Sequence, residues 1–194
     1  LKASRAVLAA SSFGDAARRI FDVSCETTGA VSGYVALLSE NGQENEVLFL
    51  ESGGLPCDVN PELPMPIRGL RAEAYKSGKV VYDNDFARSQ WIRFMPERHV
   101  ALHNVMFAPM NLKGKTVGLL GLANKPQDFT EDDAALAGAL AETVAVALQR
   151  TRDEEALVEA SRFSEQIIRS AQEGIIVYGP DLRYQVWNPF MEQL

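Results

Sequence analysis

The sequence predicts an α+β fold: a central antiparallel sheet flanked by helices, followed by a long C-terminal helix. Three observations carry this. Two stretches of strand character each fold back around a short link, one containing Asn41-Gly42 and the other Lys113-Gly114-Lys115. Helical periodicity precedes, separates and follows them. From residue 130 the helical pattern then runs on to about residue 171. Of the 194 residues, 46% are hydrophobic and 23% charged, a mix able to bury a core without disulfides or metal.

Residues 3–29 read as the first helix. Ala16, Ile20, Val23 and Ser24 fall on one face, Asp15 lies near the N-terminus, and Gly29 supplies a stop. Residues 33–38 and 46–51 read as paired strands, joined by Ser39-Glu40-Asn41-Gly42 with the Asn-Gly pair that hairpins favour. Pro56, Pro61, Pro64 and Pro66 fall within eleven residues, which excludes helix or central strand. This stretch is an extended loop and a candidate lid. Leu70, Ala74 and Tyr75 recur at helical spacing up to Gly78, and Val80-Val81-Tyr82 reads as a short strand. Asp83-Asn84-Asp85 is an N-cap cluster for a helix carrying Trp91, Ile92 and Phe94, which Pro96 ends.

Residues 105–112 and 116–124 read as the second hairpin. Its second strand, with Val117-Gly118-Leu119-Leu120-Gly121-Leu122-Ala123, is nearly apolar throughout and suits a strand covered on both faces. Thr130 with Asp133 makes a capping-box-like start to the long helix, and Glu131, Asp132 and Asp133 complement its dipole. At 1.5 Å per residue that helix is roughly 60 Å long. Leu136, Leu140, Val144, Ala147 and Leu148 make its first half apolar, residues 149–155 are charged, and apolar positions return at Leu157, Val158, Ile167 and Ile168. The stripe fits a coiled coil at its ends and poorly in its centre. Gly174 ends the helix. A strand-turn-strand follows around Gly179-Pro180-Asp181, with Asn188 placed to cap and Pro189 at a first helical position. The domain reading is 1–150, a helical linker at 151–173, and the start of a further domain at 174–194.

The net charge of −7 argues against general nucleic-acid binding. Charge is uneven: residues 68–103 hold seven Lys/Arg against four Asp/Glu, with His99 and His103, whereas residues 130–173 hold four against ten. The basic stretch is either a solvated face or a lid suited to an anionic ligand. No apolar run approaches a membrane span and no signal peptide is visible. Cys25 and Cys57 lie far apart without metal-type spacing, so neither a disulfide nor a metal site is expected and the compartment reads as cytoplasmic. The chain begins at Leu1 rather than Met and reads as a piece of a longer protein. It shows no Ser/His/Asp set, phosphate-binding Gly loop or metal-ligand cluster, so it is read as a non-enzyme.

The order helix, hairpin, loop with short helices, hairpin, long helix resembles a GAF domain over residues 13–148. Asn124-Lys125, Phe129 and Asp133 are similar to the Asn-Lys, Phe, Asp-Glu motif of cyclic-nucleotide-binding GAF domains, with Ala134 where that motif has Glu. The resemblance implies a structural lock of Asn124, Lys125, Phe129 and Asp133, in which Lys125 and Asp133 pair and tie the last strand to the helix start. Without the final Glu the motif speaks for the fold rather than for a cyclic nucleotide.

In such domains the ligand sits between sheet and lid, which points to Tyr82, Asn84, Asp85, Trp91, His99, Asn104, Met106 and Ala108. The ligand stays open between a small anion and a cyclic nucleotide. No bilin or haem is expected: neither a bilin-attachment motif nor a reductase cysteine set is present, and Cys57 sits beside Asp58 rather than a cation.

Residues 163–194 look like the entry to a PAS domain, through Gly174-Ile175-Ile176-Val177, Asp181-Leu182-Arg183 and Trp187-Asn188-Pro189-Phe190-Met191. A GAF–helix–PAS order is similar to that of bacterial sensor histidine kinases. The resemblance implies a regulatory small-molecule-sensing domain, forming a homodimer through its N- and C-terminal helices and passing ligand state along the linker. The alternative it leaves is a GAF scaffold that binds no ligand and serves dimerisation and spacing.

Overall fold

Helix α1 (Phe13–Thr28) starts where the Ser12 hydroxyl accepts the Asp15 amide at 3.2 Å, and ends at Gly29, whose φ of 81° is left-handed and favours glycine. The computed structural model describes residues 12–60 and 63–192. Residues 3–11 of the predicted first helix, and Pro61 of the predicted lid, lie outside the described residues. Ser12 is the cap, and Asp15 instead pairs with Arg19 one turn on at 3.1 Å. Ala16, Ala17, Ile20, Phe21, Ser24 and Thr28 make the buried face.

Six strands form one antiparallel sheet: β1 (Ser32–Leu38), β2 (Glu44–Glu51), β3 (Met65–Pro66), β4 (Val81–Asp83), β5 (Val105–Leu112) and β6 (Lys115–Ala123). Their spatial order is β3-β2-β1-β6-β5-β4. The proline-containing β3 occupies an edge, where a missing ladder donor is tolerated. Lys113 and Gly114 both take positive φ, the two-residue turn that matches strand twist. At the sheet's centre, a Cβ on Gly121 would come within 2.7 Å of the Tyr34 ring, so only glycine lets that ring lie flat on β6.

Helix α2 (Leu70–Ser77) leads from β3 towards β4, and helix α3 (Glu131–Ser170) follows β6. The predicted helix carrying Trp91 is instead two 3-10 turns, Phe86–Arg88 and Gln90–Phe94. The predicted cap does not form, because the Asp83 carboxylate accepts the Asp85 amide at 2.9 Å and Asp85 makes no capping bond. Ser89 restarts the chain by capping the Trp91 amide at 3.2 Å.

Alternate residues of the strands enter two cores. On the helix side, Val35, Met106, Ala108, Met110 and Leu120 pack with Ile20 and Phe21 of α1 and Leu140 and Val144 of α3. On the other side, Tyr34, Ala36, Phe107 and Leu119 pack with Leu70, Ala74 and Phe86.

The chain divides into two compact units, one running to Gln149 and the other from Arg150. Within the second unit, Leu157, Val158, Phe163 and Ile167 of α3 are exposed. Strands β7 (Ile176–Tyr178) and β8 (Tyr184–Trp187) pair antiparallel. Asn188 is no cap. Its amide donates to the Ile168 and Glu173 carbonyls at 3.1 and 2.9 Å and its oxygen accepts the Ile175 amide at 2.9 Å, so it fastens this hairpin to the helix end. No helix among the described residues is long and apolar enough to cross a membrane.

Candidate functional site

Strand alternation turns Ser32 and Tyr34 of β1, and Val105 and Phe107 of β5, towards the face that α1 does not cover. The start of α2 and the 3-10 segment close over that face. They leave a cavity of about 80 Å³, room for several waters or a compact ligand. Most of its wall is apolar or aromatic, with Leu70, Phe86, Trp91, Phe94 and Leu102. Trp91 and Phe94 stack with ring centroids 6.5 Å apart.

The polar groups on this wall are few. Arg68 donates to the Phe94 carbonyl at 3.1 Å and lies across that ring. Arg71 holds its guanidinium 5.9 Å from the centre of the Tyr34 ring. Glu51 is occupied by Arg18 at 3.3 Å and by the Gly53 amide at 3.2 Å. Behind the cavity the Tyr75 hydroxyl donates to the Asn45 side chain at 2.6 Å, and Asn45 donates to the Tyr34 oxygen at 3.4 Å. Burial pushes the pKa of both phenols up, so both stay protonated. His99 has Nδ1 2.8 Å from the Val100 carbonyl, which assigns the proton to that nitrogen and leaves Nε2 an acceptor. Burial lowers the His99 pKa, and the Arg71 charge adds to this.

Of the ligand-binding residues expected from sequence, Trp91 and His99 line this cavity. Met106 and Ala108 are fully buried in the helix-side core, while Val105 and Phe107 are their cavity-facing neighbours. Because β5 is apolar on both faces, its pattern does not reveal which parity faces which side. The Tyr82 hydroxyl donates to Glu131 at 2.8 Å, a bond that raises the phenol's pKa. Asp85 is exposed beside Arg88 at 3.9 Å. Among the described residues of the predicted lid, Met65 is the one on the cavity wall. Ser32, Arg68 and Arg71 were not singled out from the sequence. The available signals were the shared parity of Ser32 with Tyr34 and the three-residue spacing of the arginines.

Asn84 and Asn104 belong to a second constellation. Asn84 accepts the Phe129 amide at 2.7 Å and donates to the Phe129 carbonyl at 3.0 Å. Asn104 accepts the Lys125 amide at 2.9 Å and donates to the Lys125 and Gln127 carbonyls, each at 3.0 Å. Asn124, left-handed at φ 57°, accepts the His103 amide at 3.0 Å and donates to the Ala101 carbonyl at 2.9 Å. Asn104 and Asn124 thus bind the segment leaving the cavity wall to the segment entering α3, and Asn84 binds the end of β4 to that same segment.

The Lys125 ammonium meets the Asp133 carboxylate, both side chains 12% exposed, and lies over the buried Phe129 ring. Asp133 also accepts the Thr130 amide at 2.8 Å, while Thr130 accepts the Asp133 amide at 3.2 Å, a reciprocal capping box. Burial opposes ionisation of Asp133, but the hydrogen bonds from Lys125 and Thr130 outweigh it and hold its pKa below the ordinary value.

Neither cysteine lines the cavity. Burial, with Asp22 nearby, pushes the Cys25 thiol up to about 11, and Cys57 is a free, half-buried thiol. Among the described residues no group of three His, Cys, Asp or Glu could hold a metal ion.

A family model for the GAF domain matches residues 10–149. Among solved structures, the GAF domain of a phosphoenolpyruvate-protein phosphotransferase from Coxiella burnetii is 18% identical, with TM-score 0.68, over 79% of this chain and 92% of that one. Residues 122 to 287 of a methyl-accepting chemotaxis protein are 14% identical, with TM-score 0.66, over 80% and 99%. The free methionine-R-sulfoxide reductase from Neisseria meningitidis, in complex with its substrate, is 18% identical, with TM-score 0.64, over 78% and 87%. At these identities the likeness is one of fold. No curated protein matches the chain.

Proposed function

The chain belongs to the GAF domain family, and from that premise we propose that its first unit senses a small molecule and reports the bound state through α3. GAF domains are typically regulatory or sensing parts of signalling proteins. One observation carries the proposal: the cavity wall continues directly into the asparagine clamp. His99, Val100 and Leu102 line the cavity, and Ala101, His103 and Asn104 hold Asn124, Lys125 and Gln127. A ligand that shifts the 91–102 segment therefore pulls on the start of α3 through short hydrogen bonds. Binding without turnover is the favoured chemistry, because the Cys25 thiol is held protonated and neither cysteine reaches the cavity.

The finer setting is also proposed. The linker and the β7–β8 hairpin fit the entry to a PAS domain in a cytoplasmic sensor histidine kinase. The exposed apolar residues Leu157, Val158, Phe163 and Ile167 fit a helical seam between two copies. A scaffold that binds nothing is the competing reading, supported by the modest cavity volume.

Amide hydrogen exchange with and without a cavity ligand tests the coupling. Protection is expected at residues 99–104 and also at 124–133. Protection confined to the cavity wall would break the proposed route. A metabolite panel that produces no thermal shift, with a dimer in sedimentation, would favour the scaffold.

A further inference from the structure

Among the described residues, two groups on the cavity wall have no hydrogen-bond partner, and together they point to a class of ligand. Ser32 is 2% exposed, and its hydroxyl is the buried side-chain polar atom with no hydrogen bond among the described residues. Native interiors rarely leave such a group unpaired, and it lies on the β1 face that Tyr34 presents to the cavity. Arg71 is half-buried on the same wall, and among the described residues no carboxylate or hydrogen-bond acceptor meets its guanidinium; it rests only against the Tyr34 ring. The acid on the wall, Glu51, is already taken by Arg18. Arg71 also sits in the first turn of α2, whose N-cap Gly69 has no capping side chain and opens on the cavity. The helix start and the guanidinium both favour an anion there.

We propose that the cavity takes a compact monocarboxylate with an apolar or aromatic body. Its carboxylate pairs with Arg71 at the start of α2, and the Ser32 hydroxyl makes its missing bond to the ligand. One uncommitted guanidinium matches one carboxylate in charge and planar geometry. The remaining wall, with Leu70, Trp91 and Phe107, has few polar groups for a sugar or a second anionic group. A cavity of about 80 Å³ suits a small acid better than a nucleotide. This inference rests on the sensing reading of the same cavity.

Calorimetric titration of the full chain with phenylacetate and 3-methyl-2-oxobutanoate tests it, against phenylacetamide, inorganic phosphate and cyclic GMP. Binding of at least one carboxylate is expected, with phenylacetamide weaker than phenylacetate by about tenfold or more. Arg71→Met is expected to lose about tenfold or more in affinity, and Arg71→Lys to recover part of it. Ser32→Ala should weaken binding while leaving the unliganded melting temperature unchanged or higher, which a purely structural serine would not do. Equal affinity for phenylacetate and phenylacetamide, or unchanged affinity in a folded Arg71→Met, overturns the ligand class. Phosphate or cyclic GMP binding in place of the acids overturns it too, but leaves the sensing reading standing. No binding by any probe at millimolar concentration overturns the ligand class and leaves the sensing reading to the metabolite panel.

Discussion

The two faces of the sheet are built from neighbouring residues of the same strands and are finished differently. On the helix side, Val35, Met106, Met110 and Leu120 close against α1 and α3 with essentially no exposure. On the opposite side, Tyr34 and Phe107 face a cavity with a hydroxyl and a guanidinium that have no hydrogen-bond partner among the described residues. Interiors are normally packed to crystal density and their polar groups satisfied. One face obeys both rules and the other departs from both at the same place. The difference teaches where stability resides and where the proposed ligand would sit.

The largest effect should come from breaking the finished face. Phe21 is 2% exposed and meets Phe49 edge-on, with centroids 5.3 Å apart. Phe21→Ala is expected to cost about 3–5 kcal/mol, read by urea unfolding followed by circular dichroism. A loss below about 1 kcal/mol would mean that this core is as loosely filled as the cavity side.

The junction between the faces comes next. Lys125→Ala strands the Asp133 carboxylate and is expected to cost about 2–3 kcal/mol, because removing one partner of a largely buried pair leaves an uncompensated charge. Asp133 ionises more readily in the fold than in the unfolded chain. Its contribution is therefore full above the ordinary value of 3.8 and is lost as pH falls through its lower folded value. Acid unfolding of Asp133→Asn should lack that component. In liganded protein, Lys125→Ala should also weaken exchange protection at 130–133 while sparing 99–104 and the asparagine-held 124–127. Protection surviving at 130–133 would show that the asparagines alone carry the coupling.

Trp91 probes the unfinished face directly. It is only partly buried and borders the cavity. Trp91→Ala is expected to cost about 1–2 kcal/mol, less than Phe21→Ala, because fewer contacts are lost and the void already exists. A cost equal to that of Phe21→Ala would erase the contrast between the faces.

The sequence made the frame legible where chemistry is local. Thr130 and Asp133 announce a capping box by spacing alone, and Lys113-Gly114 a tight turn. The cavity was less legible because strand parity is a relation between neighbours. Met106 and Val105 look equivalent in a run apolar on both sides, and only pairing with β4 and β6 sends one to each face. Asn84 reads as part of a cap cluster and as a ligand contact, and Asn104 as a ligand contact. Their partners, Phe129 and Lys125, lie 45 and 21 residues away, and no local pattern encodes such bonds. Ser32 gives the sharpest case. A serine at a strand start is unremarkable in sequence, and it gains meaning only when its hydroxyl finds no partner among the described residues.

His99 should give the smallest effect and the finest test of the contrast. Burial, aided by the Arg71 charge, lowers the pKa of its ring in the fold and outweighs the Nδ1 bond to the Val100 carbonyl, which raises it. The unfolded chain takes up a proton near the ordinary value of 6.5, whereas the folded ring resists until lower pH. Between those values the unfolded state binds more protons, so stability declines as pH falls below about 6.5 and levels off once the folded ring protonates. Urea midpoints measured between pH 7.5 and 5 should show this slope in the native chain and lose most of it in His99→Asn. A slope that persists undiminished in the variant would place the titrating group elsewhere. A carboxylate seated on Arg71 would offset the cation that now disfavours a protonated ring, raising the pKa of His99 and flattening the slope. Repeating the series with saturating phenylacetate therefore reads occupancy of the cavity from a side chain that need not touch the acid.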